Sequence, residues 1–483
     1  MHPSIDTGNT AWLMASTAMV LLMTPGLAFF YGGMVKTKHV LVMLKMSFVC
    51  LAVVTLLWLA IGYSLAFGKD VGGRGLIGTP SHWMMHDIGM TSLWGSTGIP
   101  TVIFSCFQMA FAIITVALIS GSIAGRATMR GWVWFATAWT LLVYVPLAHW
   151  VFAPDGWVTS HLGALDFAGG LPVEINSGAA GLAVAIVVRK RKDFERETIR
   201  PHNLPLVVIG LALLWFGWFG FNAGSALQTG GTAPMAFLNT QLAAAGAMVG
   251  WPLIEKWKLG HVEMLGVAGA AVAGMVAITP SCGEISPVGA LAVGFAAGVV
   301  CAFAINFKYR MGYDDTLDVV GVHGFGGIVG TLAIGLFATA QMSGKKGLFY
   351  GGGVGLLWRQ AVAVVACAAF SFAATWLIAK AVEKTVGFRA DEEYEHVPGQ
   401  EEEQAYDDET ISEIRSRLIA ARMPVAVGAG GAVGLGDGLG GMDGAGAGGG
   451  GAGAGGGAED GAAADHRLLA ELREVLVRRD QEK

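Results

Sequence analysis

The sequence predicts an all-α polytopic membrane protein. Its expected architecture is 11 transmembrane helices, an inverted five-helix repeat (1–5 against 6–10) plus one extra helix, with the N-terminus outside and the C-terminus inside. Three observations predict it. Only 14% of residues are charged and 54% are hydrophobic, where a soluble domain carries about 25% charged residues; mean hydropathy is +0.56. Charge-free runs long enough for spans of ~20 residues recur along the chain. Basic residues alternate between rich and poor loops, as the positive-inside rule requires.

Taken in order, span one lies between Asp6 and Lys36, and span two between Lys45 and Lys69. Span three falls between Asp87 and Arg126, and span four between Arg130 and Asp155. Span five, 169–188, contains Glu174. The run between Arg200 and Glu255 holds spans six and seven, turning near QTGGTAP (228–234). Spans eight, nine and ten follow between Glu263 and Glu284, Glu284 and Lys308, and Asp318 and Lys345. Span eleven lies between Arg359 and Lys380. Alternate loops carry Lys36, Lys38 and Lys45; Arg126 and Arg130; the basic run RKRKDFERETIR (189–200); Lys256 and Lys258; Lys308 and Arg310. The intervening loops carry Lys69, Arg74, Lys345 and Lys346, with Arg359 at the edge of span eleven. That asymmetry sets the orientation, and one span more or fewer would break it. No Lys or Arg precedes the first apolar run, so a cleaved secretion signal is not expected.

The membrane domain is expected over 1–388. A cytoplasmic region follows over 389–427, polar and acidic (RADEEYEHVPGQEEEQAYDDE) and then amphipathic (ISEIRSRLIAARM). Residues 428–463 form a Gly-rich flexible linker. An amphipathic helix over 464–483 places Leu468, Leu469, Leu472, Val475 and Leu476 at helical spacing; a docking helix or a coiled-coil stub stays open beside the commoner reading, a loosely held tail helix. Five cysteines form no spaced set; they read as packing residues, with no disulfide or metal site expected. The net charge of −5 argues against a nucleic-acid partner.

Two ionisable residues stand well inside spans, Glu174 in span five and His323 in span ten. Charge in hydrocarbon is costly, so such groups face a protein interior or a polar path. PVEINSGAAG (172–181) and GVHGFGGIVG (321–330) both place the ionisable residue third and a Gly seven positions on, and an Asp precedes each, Asp166 and Asp318. The bland alternative is a pair of hydrogen-bonded core groups. Matching places in two oppositely oriented halves favour a pathway pair brought together near the midplane. A second constellation, WFGWFGFNAGSA (215–226), supplies Trp218, Phe221, Asn222 and Ser225 at the outer end of span six. It faces FSCFQMAF (104–111), with Gln108 and Phe111, and LAHWVFAPDGW (147–157), with Phe152. Ring faces attract a cation and a hydroxyl accepts its hydrogen bond. No HExxH motif and no Asn-Pro-Ala triplet occurs, and TVGF (385–388) lies at the inner end of the last span rather than in a re-entrant filter.

PGLAFFYGGMV (25–35), LGALDFAGG (162–170), PHNLP (201–205), GWFGFNAGSA (217–226), TPSCG (279–283) and DVVGVHGFGGIVG (318–330) stand in one order along the chain. In that order they resemble the ammonium transporter family (Amt/Mep/Rh), bacterial type, over roughly 10–410. The resemblance implies a homotrimer in the cell membrane, one pore per subunit, no cofactor and no enzymatic activity. Phe111 and Phe221 resemble the stacked gate rings. Ser225 resembles the outer ammonium-site hydroxyl, and Gln108 falls on a motif position near the vestibule. Asp166 resembles the carboxylate that structures the outer site, and His323 the second pore histidine. Two departures stand out. The outer-site Trp falls on Phe152, with Trp150 and Trp157 close by. Glu174 stands where most members carry the first pore histidine, as in a subset that includes fungal members. The implied function is uptake of ammonium or ammonia, with Glu174 and His323 handling the proton or cation. The alternative is an ammonium sensor that signals through its tail. VGFRADEEYE and EEQAYDDE resemble the family's regulatory C-terminus, which implies a PII-type signalling partner.

Overall fold

The computed structural model describes residues 4–192, 194 and 201–390. The expected tail segments from 391 onward lie outside the described residues. Helix α1 is Thr7–Met34, α2 Thr37–Phe67 and α3 Thr101–Ile123; α4 covers 129–152 and α5 is Gly170–Val188. Then come α6, Leu204–Gly224; α7, Thr232–Leu259; α8, Met264–Ile278; α9, Pro287–Met311; α10, Val320–Phe337; and α11, Gly355–Thr385. Among the described residues, nine helices are long and apolar enough to cross a membrane. The other two of these, the more polar α7 and the short α8, stand where spans seven and eight were expected.

Local sequence explains the ends. Asp6 caps α1 by accepting the Asn9 N–H at 2.8 Å, and Asn203 caps α6 by accepting that of Leu206 at 2.9 Å, with Pro205 in the first turn. Gly260, at φ +79°, ends α7. A short hairpin, β1 (Leu93–Trp94) against β2 (Ile99–Pro100), precedes α3.

The helices that matter most are α5 and α10. Both open on a π-helical turn, Gly170–Ile175 and Val320–Gly324, a local form often found at functional sites. The displaced carbonyls of α5 find partners on α11: Cys367 donates to Leu171 O at 3.1 Å and Ser371 to Asn176 O at 2.9 Å. The heads of α5 and α10 match at a constant spacing. Asp166 accepts the N–H five residues on, at Leu171, at 2.7 Å; Asp315 does the same with Val320 at 2.7 Å. Gly169 (φ +106°) and Asp318 (φ +61°) occupy the same left-handed position. Asp315, not Asp318, therefore mirrors Asp166: sequence spacing alone did not distinguish them, and the backbone register does. Asp318 instead pairs with Lys308 at 2.7 Å.

The two helices cross on small residues. A methyl at Gly178 would strike the Gly324 backbone, and one at Gly327 would come 2.9 Å from Glu174 Cβ and Ile175 Cγ1. This close approach sets the distance between the two ionisable side chains.

Candidate functional site

Glu174 and His323 meet across the α5–α10 crossing. His323 Nδ1 lies 2.7 Å from Glu174 Oε2, with the two residues 5% and 1% exposed. At that distance one proton lies between a carboxylate and an imidazole: the ring donates to the carboxylate, or the acid donates to the ring. The pair lines a slender lumen with room for water-sized groups only, about 20 Å³. Its other walls are apolar, from α1 (Leu27, Phe30), α3 (Ile114, Leu118), α6 and α8, with Tyr31 among them donating to Leu118 O at 3.1 Å.

Phe221 and Trp218 also line the lumen. The Phe221 ring stacks on Phe111 with centroids 3.9 Å apart and planes 20° apart, and both rings are buried. Phe152 meets Phe111 edge-on at 6.1 Å and 88°. Trp150 and Trp157 pair with each other at 5.6 Å instead, and the Trp150 indole donates to Leu76 O at 3.0 Å. Phe152 is thus the ring from this segment that reaches the stacked pair. Ser225 stands one turn beyond Phe221 and donates to its carbonyl at 2.8 Å, leaving hydroxyl lone pairs for a donor. Gln108 is buried one turn before Phe111, and its Oε1 has no hydrogen-bond partner among the described residues.

Trp218 is not with this outer group. It lies on the lumen side of Phe221, donating its indole N–H to Thr279 Oγ1 at 2.9 Å. Asn222 faces away from the rings and donates to Thr240 Oγ1 on α7 at 2.9 Å. Asp166 accepts three N–H groups, from Gly169 (2.9 Å), Gly170 (2.8 Å) and Leu171 (2.7 Å), and so ties the turn that opens α5. Burial pushes its carboxyl up to about 6, while these backbone bonds pull it down. Phe152 rests on that turn: a methyl at Gly169 would come 3.2 Å from its ring.

Sequence reasoning missed several buried charges. Arg126, 1% exposed, pairs with Asp314 at 3.3 Å and donates to Thr316 Oγ1 at 3.0 Å and to the carbonyls of Ser122 and Arg189. The sequence reads it and Lys308 as loop charges, yet both hold the head of α10. The signal was present in the acids of YDDTLD (313–318), which need buried partners once α10 begins. Among the described residues, no group of three or more His, Cys, Asp or Glu is arranged to hold a metal.

The comparisons with known proteins agree with this architecture. The sequence profile of the Ammonium Transporter Family matches residues 11–408. An ammonium transporter from Mycobacterium tuberculosis (strain ATCC 25618 / H37Rv) is 48% identical over 429 residues, covering 83% of this chain and 90% of the relative. The crystal structure of Saccharomyces cerevisiae Mep2 superposes with a TM-score of 0.75 at 30% identity, covering 80% of this chain and 88% of that one. A structure titled Sensor Amt Protein matches with a TM-score of 0.74 at 30% identity, covering 80% and 96%.

Proposed function

The chain belongs to the ammonium transporter family, and from that premise we propose that it takes up ammonium across the cell membrane through the Phe-gated lumen, with Glu174 and His323 managing the proton. The observation that carries the proposal is the 2.7 Å Glu174–His323 contact, buried in an apolar lumen behind a stacked ring pair. The wider reading keeps eleven spans in two inverted five-helix halves plus one, N-terminus outside, C-terminus inside, assembled as a homotrimer. The protein is a transporter and not an enzyme.

At the outer mouth, the faces of Phe111 and Phe152 attract the cation, and Ser225 and Gln108 Oε1 accept its N–H bonds. Phe152 gives a ring face without an indole donor, which weakens capture relative to Trp. Asp166 and Asn222 hold the frame. Past the rings the lumen offers a bare cation little to replace its water, so carrying it further whole costs heavily. Transferring one proton from NH₄⁺ to an ionised Glu174–His323 pair leaves neutral NH₃, which an apolar lumen admits. The proton then leaves separately, and ammonia is reprotonated inside. With the pair ionised as Glu⁻/HisH⁺, or sharing one proton, the two groups titrate as one unit.

A second reading, an ammonium sensor, is favoured by the match to the Sensor Amt Protein and by the 391–483 tail. The tail is where a PII-type partner would act. Truncation after residue 410 separates the two. Reconstituted in liposomes, the truncated protein is expected to take up ammonium with altered regulation. Ammonium binding without uptake, in the full chain and the truncated one alike, contradicts transport.

A further inference from the structure

The loop 279–286, between α8 and α9, holds in the second half of the chain the place that 124–128, between α3 and α4, holds in the first. Thr128 caps α4 by accepting the Gly131 N–H at 3.0 Å, and Ser286 caps α9 by accepting that of Gly289 at 3.3 Å. The residue before each cap forms an isolated β-bridge, Ala127 with Arg389 and Ile285 with Ala338. Two residues before each cap stands a buried charge, Arg126 or Glu284. Each faces the head of the other half's lumen helix: Arg126 bonds to Asp314 and Thr316 before α10, and Glu284 lies in the field of Asp166 before α5.

The two heads differ in charge balance. At α10, Asp314, Asp315 and Asp318 are matched by Arg126, Arg191 and Lys308. At α5, two acids stand together. Among the described residues, the charged groups facing Glu284 are Asp166 from the head of α5 and Lys345 from the loop after α10; Cys282 is the titratable group of its own loop, and Arg359 of α11 acts on Lys345. Lys345 is already engaged, donating to Gly163 O at 2.8 Å. Glu284 is 9% exposed, and its Oε2 has no hydrogen-bond partner among the described residues.

This loop is built onto the outer site. Pro280 O accepts the Phe167 N–H at 2.9 Å, and the Phe167 ring covers Gly283. The next residue back, Asp166, ties the Gly169 turn on which Phe152 rests. The loop that carries Glu284 is therefore linked to the Phe152 ring through Phe167, Asp166 and the Gly169 turn.

We propose that Glu284 is a proton-regulated positioning residue of the outer ammonium site, acting through the Asp166 turn, so that its ionisation strengthens ammonium capture and its protonation weakens it. The inference rests on the transport reading above. Burial first, and then the Asp166 charge, push the Glu284 carboxyl up to about 7, while Lys345 pulls it down. The sign follows. Below about pH 7 the group is neutral and adds no attraction for a cation; above it, the added negative charge deepens the outer site.

The test is the KM for ammonium, expressed as NH₄⁺, in proteoliposomes of the full chain with the internal pH clamped and the outer pH varied from ~5.5 to ~8.5, a window bracketing the titration. In the wild type, KM is expected to fall about threefold to tenfold as the pH rises through neutrality, the effect of one partly screened charge. Glu284→Gln is expected to hold KM at the acid-side value throughout. Glu284→Asp keeps the charge and is expected to keep a step at a shifted midpoint. A wild-type step that survives unchanged in Glu284→Gln overturns the inference and leaves transport intact. If the Gln variant fails to insert, an unshifted midpoint in Glu284→Asp overturns it. Absence of uptake by the wild type at every pH overturns the transport reading, and this inference with it.

Discussion

Glu174→His is expected to lower potassium current relative to ammonium current by about tenfold, and to change the pH dependence of transport. Glu174 contacts His323 at 2.7 Å inside a lumen that is otherwise apolar. Among the described lining residues, the Glu174 carboxylate offsets a permeating monovalent charge when His323 is neutral. Two neutral imidazoles relay a proton but give a cation no counter-charge, and at low effective dielectric one lost counter-charge is worth at least about 1.4 kcal/mol, a factor of ten. The pH response shifts because the carboxylate–imidazole pair becomes an imidazole pair with different macroscopic titration. Paired ammonium and potassium currents across pH measure both. Unchanged selectivity together with an unchanged pH profile would rule out a role for the Glu174 charge.

Gly178→Ala is expected to reduce ammonium uptake about a hundredfold, while Gly324→Ala leaves it near wild type. The two glycines face each other where α5 crosses α10, yet their surroundings are unequal. A methyl at Gly178 strikes the Cα and N of Gly324, backbone atoms that cannot rotate aside. A methyl at Gly324 finds its nearest atom, Gly178 Cα, at 3.5 Å, an ordinary contact. The first substitution must push the helices apart, costing about 1–3 kcal/mol in overpacking. It also breaks the Glu174–His323 contact, and a displacement of ~1 Å at reacting groups costs about 10²-fold. Uptake rates beside the yield of folded, detergent-extracted protein separate the two effects. Equal activity of the two variants would mean that the crossing distance does not govern transport.

Much of this was legible in the sequence because a membrane constrains composition so strongly. Apolar runs and basic loops located the helices, and Glu174 and His323 stood out because charge is rare where they sit. The aromatic motifs brought Phe111, Phe221, Phe152 and Ser225 to one region. What failed was finer than periodicity can resolve. Trp218 shares a helix face with Phe221, one turn away; only the stacking of Phe111 on Phe221 decides that Trp218 falls behind the rings. Asp318 was paired with Asp166 although Asp315 carries the matching hydrogen bond, since several polar residues precede α10 and sequence cannot say which one accepts an N–H. Arg126 and Glu284 read as loop charges because the groups they meet, Asp314 and Asp166, are distant in the chain. Their environment is tertiary, set by the packing of each loop on the opposite half.

The most direct measurement is an ammonium-pulse current on proteoliposomes of the full chain beside Glu174→Gln. The predicted result is an inward current in the wild type that Glu174→Gln abolishes or re-tunes in pH, since Gln keeps the shape but neither holds charge nor exchanges a proton with His323. Bound ammonium without wild-type current, or an identical current in Glu174→Gln at every pH, would contradict the placing of Glu174 in the transport path.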